Sequence, residues 1–429
     1  MFSWVGMGNL RISLAVVFIV ISCLSIVWVP LSNVNAQQVS GDWPMFHGSL
    51  SHNGAGIGDP VLTPRLLWNF STGDWVLSAP AVVGAVVYVG SIDGNVYALN
   101  AANGTQLWSF NTGNGVWSSP AVVDGVVYVG SWTNVFALNA SSGAQLWNHI
   151  LLNGKGDYVV SSPAVVDGEV FIGADDGNLY ALNATDGTLL WNYKTGNELA
   201  SSPAVANGVV YVGSWDGNIY AFNATSGSKL WSFTTGDVVN SSPAVVDSIV
   251  YVGSWDKYVY ALNASNGAQL WNYNAGGMVA SSPAVVDGTV YVGSWNGDFY
   301  ALNATSGSQL WNYTTGDVVG TAPVVVGNVV YVGSNDNNLY AFNTASGVKL
   351  WNFTSNGVAG SPAFVDDVIY YGGGNDVYAL GNSLAIASSS PSIFLPIIVG
   401  MAATAVIVAT AILLASKKLK NKPKSPESE

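Results

Sequence analysis

The 429-residue chain holds 49 glycines and 17 tryptophans, and only 9% of it is charged. Disordered chains are rich in charge and poor in aromatics, so this composition excludes disorder and supplies a large core. The formal net charge is −13, and between positions 37 and 390 there are 23 acidic against six basic residues. Such a surface repels nucleic acid and anionic lipid.

The chain begins with a positive flank at Arg11 and an apolar run over 12–31, followed by Val34-Asn35-Ala36, which ends in a small residue suited to cleavage. This pattern predicts a secretory signal peptide over 1–36, with an uncleaved anchor as its rival. Val20-Ile21-Ser22-Cys23 resembles a lipoprotein cleavage box, but apolar residues continue past Cys23, so lipidation is not expected. Cys23 is the sole cysteine, and the exported part therefore has no disulfide.

A leader over 37–66 precedes a region of strong self-similarity. Leu-Trp pairs end at Trp68, Trp108, Trp147, Trp191, Trp231, Trp271, Trp311 and Trp351, at spacings of 39 to 44 residues. Short β-branched runs at this period predict four-stranded propeller blades rather than a helical solenoid. In the unit ending at Trp311, strands are expected at Ser282–Asp287, Val290–Gly293, Phe299–Leu302 and Gln309–Tyr313, joined by turns at Asp287-Gly288, Trp295-Asn296-Gly297 and Ser306-Gly307. A Ser/Ala-Pro motif opens each unit at Pro80, Pro120, Pro163, Pro203, Pro243, Pro283, Pro323 and Pro362, which makes eight. The last unit lacks a Leu-Trp strand, and the chain opens with a spare one, Leu67-Trp68-Asn69-Phe70. The expected fold is all-β: an eight-bladed propeller over 67–382 of four-stranded antiparallel blades, closed by its N-terminal strand.

A serine-rich linker (383–392) leads to 23 apolar or small residues at 393–415, and then to Lys417, Lys418, Lys420, Lys422 and Lys424. This pattern predicts one C-terminal transmembrane helix and a cytoplasmic basic tail over 416–429, with the propeller outside the cell.

The recurring Ala-x-Asn-x-x-x-Gly-x-x-x-Trp, as in Ala98-Leu99-Asn100 through Gly104 to Trp108, resembles the tryptophan-docking motif of the pyrroloquinoline-quinone (PQQ) repeat propellers. That superfamily includes quinoprotein alcohol dehydrogenases and a bacterial outer-membrane assembly lipoprotein. The opening Asp42-Trp43-Pro44-Met45-Phe46-His47 through Asn53-Gly54 resembles the leader of non-enzymatic members. The resemblance implies that each Leu-Trp tryptophan clamps its blade onto the next. It also raises a quinone cofactor with calcium and a catalytic Asp. The sequence has no cysteine pair, only Glu169 and Glu198 as propeller glutamates, and blades too uniform to converge on a catalytic position. No cofactor is expected.

Metal ligation finds little support, because His47, His52 and His149 lack ligand spacing. The Asp-Gly-Asn turns at Asp93, Asp176 and Asp216 could hold calcium, but Asp-Gly is also what a tight hairpin needs. Trp132, Trp215, Trp255 and Trp295 follow Val-Gly-Ser in the turn between second and third strands, and Trp75 and Trp117 precede first strands. Both connections lie at one end of a blade, so six tryptophans form a candidate ligand face, with packing between blade rims as the alternative. The stretch from His149 to Asp157 carries extra residues at that same end. Ten Asn-x-Ser/Thr acceptors are candidate N-glycosylation sites: Asn69, Asn103, Asn139, Asn183, Asn223, Asn240, Asn263, Asn303, Asn312 and Asn352. Two functions follow: a non-catalytic surface module for protein or glycan ligands, and a quinoprotein-type oxidoreductase.

Overall fold

The computed structural model describes residues 42–151 and 158–383. The signal segment, the linker, the transmembrane segment at 393–415 and the basic tail lie outside the described residues. No described helix is long and apolar enough to cross a membrane.

The described chain forms eight sheets, each one blade of a propeller. In the sixth blade the strands run Ala284–Val286, Thr289–Gly293, Asp298–Asn303 and Gln309–Thr314, each antiparallel to the next. The first connection is a two-residue hairpin, with Asp287 at φ 49° and Gly288 at φ 72°. Asp-Gly suits this turn because both residues occupy the left-handed region. Second and third strands are buried almost throughout, since neighbouring blades cover both faces, whereas the outer strand alternates exposed and covered residues.

Innermost strands of neighbouring blades touch, as in the first against the second and the eighth against the first. The eighth blade takes its outer strand from the N-terminus: Pro64–Ser71 pairs antiparallel with Asp376–Asn382. This strand begins three residues before the expected Leu67. The four-stranded expectation also needs one correction. The seventh blade has a fifth strand, Ala55–Gly56, which pairs parallel with Val324–Val326. The unpaired inner edge of that blade accepts a piece of leader.

The leader runs along the inner strands of most of the ring. Trp43 exchanges two hydrogen bonds with Val82 in the first blade. The N–H groups of Val122, Val205, Val245, Val285 and Val325 donate to the carbonyls of Pro44, Leu50, Ser51, Asn53 and Gly54 at 2.7–2.9 Å. Inner-edge N–H groups facing the axis would otherwise be buried without partners. Trp43 is fully buried by this arrangement.

Candidate functional site

The eight Leu-Trp tryptophans sit between blades. The indole N–H of Trp68, Trp108, Trp147, Trp191, Trp231 and Trp271 donates to the carbonyl of Ala101, Ala140, Ala184, Ala224, Ala264 and Ala304 of the following blade, at 2.8–2.9 Å. Trp311 donates to Thr344 at 2.7 Å and Trp351 to Val61 at 2.8 Å. The motif glycine lies under seven of the rings, from Trp68 to Trp311, whereas Trp351 rests on the leader. A Cβ on Gly307 would stand 2.6 Å from Trp271 Cε3, so only glycine lets the indole lie flat on the next blade.

Trp75, Trp117, Trp132, Trp215, Trp255 and Trp295 gather at one end, between the turns joining second to third strands and the loops leading into first strands. There they form two groups. Trp215 and Trp255 lie 5.4 Å apart between ring centroids, and Trp255 and Trp295 5.7 Å, across three consecutive blades. Trp117 and Trp132 both meet Tyr158, at 5.5 and 4.8 Å. Tyr158 follows the stretch from His149 to Asp157 and carries no repeat signature, so sequence reading missed it. Residues 152–157 of that stretch lie outside the described residues. Trp75 joins neither group. Trp75 and Trp295 are 49% and 44% exposed, with Leu77 and Met278 exposed beside the same loops, whereas Trp117, Trp132, Trp215 and Trp255 are half-buried. The indole N–H of Trp215 donates to Asn240 Oδ1 at 3.0 Å. The end is therefore part packing and part open surface. Its cleft, about 210 Å³, is lined by Trp295, Asn296, Thr315 and Asp317 among others.

The Asp-Gly-Asn carboxylates are occupied by protein donors. Asp93 accepts from Gly73 N, Asn95 N and the Tyr97 hydroxyl, and Asp216 accepts from Gly196 N, Asn218 N and the Tyr220 hydroxyl. Burial alone would raise the Asp216 carboxyl, but these hydrogen bonds outweigh it and hold it below the usual range. Asp176 accepts from Asn178 N and the Tyr180 hydroxyl.

The recurring sequon asparagines cap the turns between third and fourth strands. Asn139 Oδ1 accepts from the backbone and hydroxyl of Ser141, and Asn263 Oδ1 does the same with Ser265. Asn183 accepts from Thr185 N, Asn223 from Ser226 N and Asn303 from Thr305 N. Asn100 and Asn343, which head no sequon, make the same cap. The turn therefore requires asparagine whether or not a sequon follows. Asn103 caps Thr105, and Asn240 receives Trp215. Asn69, Asn312 and Asn352 stand exposed on outer strands.

Inside the ring, His47 Nε2–H donates to the Pro323 carbonyl at 2.7 Å and His52 Nδ1–H to the Pro243 carbonyl at 3.1 Å. Burial lowers the His47 pKa to about 4. Burial, joined by the nearby His47, lowers His52 to about 3. Both rings are neutral at ordinary pH. His149 lies apart, on an outer strand.

The sequence model of the family described as outer membrane protein assembly factor BamB matches residues 62–158, 135–278 and 256–383. The chain belongs to this family. Among solved structures, BamB from Moraxella catarrhalis is similar, with a TM-score of 0.64 and 19% identity over 74% of this chain and 100% of that one. A europium-containing methanol dehydrogenase gives a TM-score of 0.71 and 15% identity over 80% and 98%. Quinohemoprotein alcohol dehydrogenase from Comamonas testosteroni gives 0.69 and 16% over 79% and 80%. At these identities the likeness is one of fold. Comparison with curated sequences gives no match.

The BamB-family propeller shares its fold with quinone enzymes, so the fit of such a group to its residues matters. Small-molecule sites need a concave cavity with convergent polar groups. The inner strands here present repeats of Ala-Val-Val, and the leader runs along them. Among the described residues no three His, Cys, Asp or Glu side chains cluster to hold a metal. These residues do not fit a quinone with calcium.

Proposed function

We propose that this BamB-family propeller is a non-catalytic binding or scaffolding module, displayed on the outside of the cell membrane by its 393–415 segment, that takes a protein or glycan ligand on its aromatic end. The observation that carries the reading is the row Trp215–Trp255–Trp295, which ends in an indole 44% exposed beside a polar cleft. Exposed aromatics at a structured rim mark binding surfaces. The Leu-Trp tryptophans recur in every blade, as a clamp must. The turn tryptophans do not: Ile92, Asp175 and Asn335 replace them. Residues needed equally by all blades would not vary in this way.

The rival reading, a quinoprotein oxidoreductase, is tested by supplying the full-length chain with the quinone and calcium and following dye-linked oxidation of alcohols and sugars. No turnover above the protein-free control is expected. Turnover that depends on the chain and both additives would overturn the non-catalytic reading.

A further inference from the structure

The cleft at Trp295 combines three features. Its wall is an exposed indole, and its lip is Asp317, from the loop that leads into the next blade. The Asp317 carboxylate accepts only the N–H of its own loop neighbour Val318, at 2.7 Å. Among the described residues no lysine or arginine pairs with it. With a volume of about 210 Å³ the cleft suits the head of one side chain, being smaller than the roughly 300–1,000 Å³ of drug-sized sites.

The same pair occurs two blades earlier. Trp215 and Asp237 hold the equivalent positions, and Asp237 is exposed and accepts only Val238 N, at 2.8 Å. The intervening blade has Trp255 but Gly277 in place of the carboxylate, and its turn carries the exposed Lys257. Two positions with a loop carboxylate thus flank one without it, where Lys257 follows the hydrogen-bonded Asp256 in the turn.

We propose that this end of the ring docks a basic polypeptide segment, with arginine side chains seated at Trp295–Asp317 and at Trp215–Asp237. The inference rests on the reading of the aromatic end as a binding face and adds the partner's chemistry. An indole face attracts cations through its quadrupole, and a guanidinium stacks on it while its fork donates to a carboxylate. The carboxylate that lines the cleft with the Trp295 indole demands the same sign of charge, and Asp237 repeats it in the equivalent loop. The exterior, with 23 acidic residues against six basic, steers a cationic partner toward it and disfavours an anionic one. Lys257 between the two positions sets register, because a partner with an unbroken row of charges meets repulsion there.

The test uses a labelled peptide of alternating arginine and glycine, its citrulline counterpart, and the neutral sugar cellohexaose, each titrated against the full-length chain at low salt and at about 0.3 M salt. The arginine peptide is expected to bind and to weaken with salt. Trp215→Ala with Trp295→Ala, and separately Asp237→Asn with Asp317→Asn, should each weaken it about tenfold or more. Trp215→Phe with Trp295→Phe should restore part of the loss. Asp124→Asn with Asp287→Asn, in hairpins at the opposite end, should change nothing. The carboxamide pair keeps the loop hydrogen bonds, so it reports binding even if the indole truncations unfold the chain. Equal loss in the opposite-end variant, equal binding of the citrulline peptide, or absence of arginine-peptide binding would overturn the inference. Capture of cellohexaose through the same tryptophans without the arginine peptide would overturn it too, while leaving the binding face standing.

Discussion

Trp351 donates its indole N–H to the carbonyl of Val61, 290 residues away in sequence, at 2.8 Å. Trp68 to Trp311 make the same bond to partners 32 to 37 residues ahead. The seventh blade thus docks onto the leader at the point where the chain turns into the eighth blade's outer strand. One stretch, from Val61 to Ser71, both receives the last clamp and closes the ring. Removing Leu67 to Phe70 should expose the edge of the eighth blade and release its clamp onto the first. The loss should exceed the roughly 3–5 kcal/mol of a single large core truncation. Thermal melting of the shortened and intact chains checks this.

The two classes of tryptophan should separate in stability. Trp231 is 8% exposed and bonded to Ala264, so Trp231→Ala should cost about 3–5 kcal/mol. Trp295→Ala, at the open end of the row, should cost under about 1 kcal/mol. Trp255 lies between two rings, and Trp255→Ala should fall between, losing aromatic contacts worth about 0.5–1.5 kcal/mol each. Denaturant midpoints of the three variants test the order.

Glycine should matter differently at two positions with the same backbone. Gly288 and Gly307 have φ of 72° and 69°, but a Cβ on Gly288 meets nothing within 4 Å, whereas one on Gly307 meets the Trp271 ring. Gly288→Ala should cost only the left-handed backbone, about 1–2 kcal/mol. Gly307→Ala should cost more and shift the indole environment, which near-ultraviolet circular dichroism would register.

The buried histidines set a pH dependence. The fold holds both neutral, with pKa lowered to about 4 for His47 and about 3 for His52, whereas an unfolded histidine takes its proton near 6.5. Between those values the unfolded chain binds more protons than the native one, so stability falls as pH drops from about 6.5 toward 4. Asp366 works in the opposite sense, since burial and the neighbouring Asp367 and Asp42 raise its pKa. His47→Gln with His52→Asn should flatten the decline in melting temperature between pH 7 and 4.5, and an unchanged slope would count against the histidines as its source.

Much of the architecture was legible because a repeat states its own rules several times. The Leu-Trp pairs, the Asp-Gly turns and the spare strand at Trp68 identified blade number, strand order and closure. The leader was not legible in the same way. Its contacts are single events with distant partners, such as His47 with Pro323 and His52 with Pro243, and no periodicity announces them. The fifth strand at Ala55–Gly56 escaped for the same reason. At the aromatic end the sequence located the six tryptophans, but exposure depends on what each ring meets: Trp215 meets Asn240, Trp117 and Trp132 meet Tyr158, and Trp75 and Trp295 remain open.

On the proposed reading, ligands meet this protein at its aromatic end and not in an enclosed cofactor site. The most direct measurement is to probe a peptide and glycan array with the full-length chain and with its Trp75→Ala, Trp295→Ala variant, after establishing that the two melt alike. The unaltered chain should capture a defined set of ligands, and the variant should hold them about tenfold or more weakly. Capture of the same ligands at undiminished strength by the variant would contradict that reading.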